Sequence, residues 1–215
     1  MRKIRGFSNG LRSGAWSENK FTNLVPYSPY NTEMYQIIRD NYKAFENHNG
    51  IIFKTYKSSK GFIHPISEGD IKKAINSVPL EFLKDLRGIF LCSGSLKQKR
   101  YSELRFGTYH DYYKSIFLFP FPEQKYLEFA NKPKPSICLD YERHGATWIM
   151  ENSNCKLMFD TRSLYSFYLY DVLFHEIGHH VENISHDIKH KTYNQRERFA
   201  EWFALEFGIK RKGNN

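Results

Sequence analysis

Between Leu164 and Val181 the chain reads LYSFYLYDVLFHEIGHHV, an apolar stretch that ends in two histidines four residues apart. Ser166 and Asp171 interrupt it, so it falls short of the roughly 18 continuous apolar residues of a membrane span. Leu169, Val172, Leu173, Ile177 and Val181 recur near helical spacing instead, which predicts a buried amphipathic helix. On such a helix His175 and His179 share a face, and both imidazoles can reach one metal ion. Glu176 lies one position on, about 100° of rotation away. It can reach a metal-bound water rather than the metal, the arrangement that hydrolytic attack on a carbonyl requires.

A catalytic zinc needs a third protein ligand and one open position. The segment YNQRERFAEWFALEFG, from Tyr193, predicts a second amphipathic helix with Phe199, Trp202, Phe203 and Leu205 on its apolar side. Glu197 and Glu201 share a face of it. One can ligate the metal while the other accepts a hydrogen bond from a ligand histidine. Small Ala200 and Ala204, one turn apart, let this helix pack closely on the first.

HEIGHH followed by ERFAEWFA resembles the gluzincin zinc metallopeptidases, in particular the anthrax lethal factor-like group that includes the Pro-Pro endopeptidases. The resemblance is confined mainly to residues 163–209. It implies a zincin-like α+β fold, a small mixed sheet packed on an active-site helix with a C-terminal ligand-bearing helix. It further implies Zn2+ held by His175, His179 and Glu197, Glu201 behind a ligand, and Glu176 as general base in peptide-bond hydrolysis. The family places an oxyanion-stabilising tyrosine seven residues before the ligand glutamate. Here that position is His190, with Tyr193 four before, and both are candidates. A second, poorer resemblance is to ImmA/IrrE-like peptidases, where Phe199 and Glu201 depart from the pattern. It keeps open a regulator-cleaving or nucleic-acid-associated enzyme. A zinc-binding interaction module without turnover is the alternative outside the enzymes, and an intact Glu176 argues against it.

The rest of the chain supports a single α+β domain at 31–215 behind a basic, Gly/Ser/Asn-rich arm at 1–30. Of the formal net charge of +9, residues 1–60 supply ten basic against four acidic side chains, which suits an acidic partner or nucleic acid. A protein or peptide substrate is expected. The three cysteines, Cys92, Cys138 and Cys155, are widely spaced and predict neither a disulfide framework nor a zinc site but buried small apolar groups. With no secretory apolar run near the start, a cytoplasmic protein is expected.

Coarse signals predict helices at 31–46, after Ser67, and at 80–86 behind Pro79, and a strand pair at 51–57 and 61–65. Further strands are expected at 87–92, 104–109, 115–119, 137–139, 146–150 and 156–159. One helical turn is expected at 126–130, and helix–loop–helix from Ser163 on. His180 reads as a packing or surface residue. A metzincin reading fails because Ser185 stands where that class has a third histidine. Either 105–109 or 115–119 could present an edge to an extended substrate.

Overall fold

In the computed structural model the described residues are 28–47, 50–100, 105–151, 154–185 and 192–210. The first helix, α1 (Pro29–Asn47), begins two residues before the expected Asn31 because Pro29 suits a first helical turn and Thr32 donates its N–H to the Ser28 carbonyl. Then follow β1 (Ile52–Thr55), β2 (Phe62–Ile63), α2 (Glu68–Ile75) and a single 3-10 turn at Leu80–Leu83. Ser67 caps α2 as expected, in a reciprocal box with Asp70. The turn behind Pro79 is shorter than expected and ends before Asp85, whose φ is 62°.

Next come β3 (Gly88–Leu91), α3 (Leu96–Arg100), β4 (Gly107–His110), β5 (Ser115–Leu118), β6 (Phe121–Pro122) and β7 (Tyr126–Phe129). The chain continues through α4 (Pro135–Glu142), β8 (Thr147–Glu151), β9 (Asn154–Met158), α5 (Thr161–Phe167), α6 (Leu173–Ile184) and α7 (Tyr193–Phe203). π-helical turns at Tyr168–Val172 and Ala204–Ile209 continue α5 into α6 and extend α7.

The main sheet has the order β1-β3-β5-β4, parallel except for antiparallel β4. Every residue of β3 and β5 is buried, as a strand covered on both faces requires. Their side chains alternate accordingly. Phe90 and Phe117 meet Met34, Ile37, Ile38 and Phe45 of α1, while Ile89, Leu91, Ile116 and Leu118 join the core under α5 and α6. The fold is mixed α+β, with helices on both faces of this sheet.

Three sequence expectations are corrected. β1 and β2 do not pair with each other: β1 runs parallel to β3 and β2 antiparallel to β6. The chain after β1 stays alongside the end of β3, through Tyr56 N–H to Leu91 O at 2.9 Å and Ser59 N–H to Ser93 O at 2.8 Å, so no hairpin can close. The helical turn expected at 126–130 is strand β7, where Leu127 and Phe129 point inward against β9 with period 2. The strand expected at 137–139 lies inside α4, started by Pro135 and buried through Cys138 and Tyr141, three residues apart. All three cysteines are buried free thiols. No helix among the described residues is long and apolar enough to cross a membrane.

Candidate metal centre

Local signals set both helices that bear the site. Asp160 caps α5 in a reciprocal box with Ser163, and the helix runs on through the π-turn into α6. Thr192 caps α7 in the same way with Gln195, which puts Glu197 in the second turn. The helices then approach until a side-chain carbon on Gly178 would lie 2.8 Å from the Ala200 α-carbon and 3.0 Å from Phe203 Cβ. Only glycine fits at 178, and Ala200 and Ala204 are fully buried in this crossing, as their small size predicts.

At that crossing His175, His179 and Glu197 converge, with one ligand-type atom from each lying within 4.8 Å of the others. His175 Nε2 is 3.1 Å from His179 Nε2, and the Glu197 oxygens lie 3.5 Å from His175 Nε2 and 3.4 Å from His179 Nε2. Tetrahedral bonds of ~2.0–2.1 Å have edges of roughly 3.3 Å. The observed separations therefore fit three corners around one cation. Burial first, then the charge of His175, pushes His179 down to about 3, so at neutral pH it offers a lone pair rather than a proton. Two imidazoles and a carboxylate form the nitrogen/oxygen donor set that suits zinc.

Glu176 stands beside this set, 7% exposed. Burial, with Glu197 adding to it, raises its carboxyl to about 8, against the opposing Tyr109 backbone N–H and the charge of Arg105. The carboxylate lies against β4, where a side chain on Gly107 would come within 2.7 Å of Oε1. Gly107 and Tyr109 alternate onto the face of β4 that meets α6. Tyr109 is also clamped to that helix. His180 Nε2 lies 3.0 Å from the Lys84 carbonyl, so it carries the proton. Nδ1 then accepts from the Tyr109 hydroxyl at 3.0 Å, and Asn183 donates to the same hydroxyl at 2.9 Å. His180 is fully buried, a packing residue as one of its two expected roles held.

Tyr193 reaches the site through its hydroxyl, which donates to the Glu197 carboxylate; burial and the charge of Glu197 raise its pKa. Glu201, one turn beyond Glu197, is half-buried and is not among the three converging groups. Glu182 is engaged by Arg196 Nε at 2.9 Å, and the same guanidinium reaches Asp111 at 3.2 Å, tying α6, α7 and the β4–β5 turn together. His190 and His186 lie outside the described residues. Of the two strands considered as an edge, β4 is the outermost and β5 is interior.

Sequence reasoning missed Gly107, Tyr109 and Arg105 as neighbours of Glu176. The one signal for the first two is their shared parity on a strand, which carries no chemistry until the strand is placed. Comparison of the chain with protein-family models, curated proteins and solved structures finds no match.

Proposed function

We propose that the chain is a zinc-dependent endopeptidase of the gluzincin type. The observation that carries the reading is the convergence of His175, His179 and Glu197 at metal-ligand separations with Glu176 buried next to them. His175, His179 and Glu197 hold the cation, and Tyr193 orients the Glu197 carboxylate through its hydroxyl. A bound zinc ion supplies Lewis acidity, polarising a carbonyl and making water a nucleophile at neutral pH. The charge of a bound cation would bring the Glu176 carboxyl back down and ionise it, and Glu176 would then take a proton from the attacking water and return it to the leaving amine. The Tyr109 N–H holds its carboxylate in place, the bare α-carbon of Gly107 leaves room for it, and the His180–Tyr109–Asn183 contacts hold β4 against α6. The outer edge of β4, apart from the Tyr109 N–H that Glu176 takes, gives an extended peptide backbone a strand to pair with.

The test combines metal analysis with a peptide-library digest. Purified protein should carry about one zinc per chain and cleave internal peptide bonds. Glu176→Gln should retain the zinc and lose the cleavage. Protein without metal after growth in zinc, or cleavage that survives Glu176→Gln, overturns the reading.

A further inference from the structure

The helix that supplies Glu197 touches the metal-bearing helix at a second point, far from the ligands. The π-turn Ala204–Ile209 lies against the π-turn Tyr168–Val172. At their contact a side-chain carbon on Gly208 would stand 2.0 Å from the Tyr170 carbonyl oxygen, 3.0 Å from its carbon and 3.2 Å from Phe174 Cβ. The obstructing atoms are backbone, so no rotamer change relieves them. Phe174 directly precedes the ligand His175. Eleven residues separate Glu197 from Gly208, roughly 16 Å along the helix.

We infer that Gly208 is a positioning residue for the metal centre, seating the Glu197 helix on the Tyr170 carbonyl so that the paired π-turns set the register in which Glu197 faces His175 and His179. This rests on those three residues being the metal ligands. The hairpin has two backbone-close points, Gly178 on Ala200 and Gly208 on Tyr170, and together they fix both the separation and the tilt of the helices. A methyl group at 208 needs roughly 1 Å more room to reach even the 3.0 Å below which side-chain carbons are essentially never found. A rigid outward shift carries all of that to Glu197. A pure tilt about the Gly178–Ala200 crossing carries about three-eighths of it, roughly 0.4 Å. Either exceeds the ~0.2 Å tolerance of metal–ligand distances. π-turns often sit at functional sites, where an extra residue re-aims the helix beyond it.

The experiment titrates zinc against a competing chelator and records cobalt absorption bands for the full chain and for Gly208→Ala. Zinc affinity in the variant should fall roughly 10–100-fold, the usual cost of mispositioning a ligand, and the cobalt bands should shift in energy or intensity. A purely structural role would lower the thermal midpoint of the metal-free protein and leave affinity and bands unchanged, and that result overturns the inference. Should Gly208→Ala not fold, hydrogen exchange of the wild-type chain decides, because coupling between two sites is reciprocal. Zinc should then protect amides 168–172 and 204–209 more than those of β7–β9, and equal protection overturns the inference. Wild-type protein that binds neither zinc nor cobalt overturns the ligand assignment and the inference with it. Metal on the wild type with equal affinity in Gly208→Ala overturns the inference alone.

Discussion

Two histidine–carboxylate clusters draw residues from the same continuous helix, Ser166 and Asp171 for one and His175 and His179 for the other, and are built to opposite ends. At His175, His179 and Glu197 the polar atoms converge on a common point at 3.1 to 3.5 Å. At His144 both ring nitrogens are spent, Nδ1 on Ser166 Oγ at 2.9 Å and Nε2 on Asp171 Oδ2 at 3.0 Å. The second set has the composition of a Ser-His-Asp triad, yet His144, Ser166 and Asp171 are 5%, 3% and 1% exposed. No substrate reaches them, and no imidazole nitrogen there is left for a metal. They pin the corner between α4 and β8 onto the π-turn that carries Asp171. Composition is thus a poor guide to chemistry. What separates a site from a pin is whether the lone pairs point at one another or at a shared space.

The strongest way to break this contrast is to exchange the outcomes. His175→Ala or His179→Ala should abolish stoichiometric zinc binding, whereas His144→Ala should leave it intact, as elemental analysis of the purified variants would show. Loss of metal from His144→Ala alone would place the metal at the wrong cluster. Within the first cluster, Glu176→Gln should cost roughly 10²–10⁴ in kcat at unchanged zinc content, the usual contribution of a general base.

At the second cluster, His144→Ala leaves Asp171 buried without its imidazole and should cost about 3 kcal/mol of stability in denaturant titration. A change below about 1 kcal/mol would mean that the pin contributes little. The pair on α7 splits: Glu197→Ala ranks with the ligand-histidine variants and should remove the metal, while Glu201→Ala comes next in size and should weaken it by roughly 10–100-fold. Chelator titration of both checks the register, since the reverse order would make Glu201 the ligand.

The smallest effect lies at the start of the helix that both clusters share. Asp160 is held below its ordinary 3.8, chiefly by the Ser163 backbone N–H. Its capping contribution is therefore complete above that value and is lost as pH falls through the lower folded one. Asp160→Ala should cost about 1 kcal/mol near neutral pH and nothing at pH well below 3.8. A constant difference across that range would assign the effect to something other than the carboxylate.

The local features of this chain were legible because they depend on neighbours in sequence. His175 and His179 share a face by helix geometry alone, Ser67 caps α2, and Ala200 announces a close crossing. Glu197 over Glu201 was suggested by resemblance, and the convergence of Glu197 with the two histidines agrees with it. The β1–β2 hairpin was misread because short apolar runs state that a strand exists and say nothing of its partner. That choice belongs to β3, which is apolar on both faces and needs a strand on either side.

What the sequence determined by itself is the pair of helices and the residue types they present, since period and capping act within one or two turns. Only tertiary structure decided that His144 and His180 are pins, with both nitrogens of each committed to partners far away in the chain, and that His175 and His179 meet Glu197. It also decided that the bare α-carbons of Gly107, Gly178 and Gly208 each admit a different close contact: a carboxylate, a helix and a carbonyl. The reason is physical. A hydrogen bond or a backbone contact between residues far apart in the chain depends on distances of a few tenths of an ångström, and packing of the whole core sets those distances.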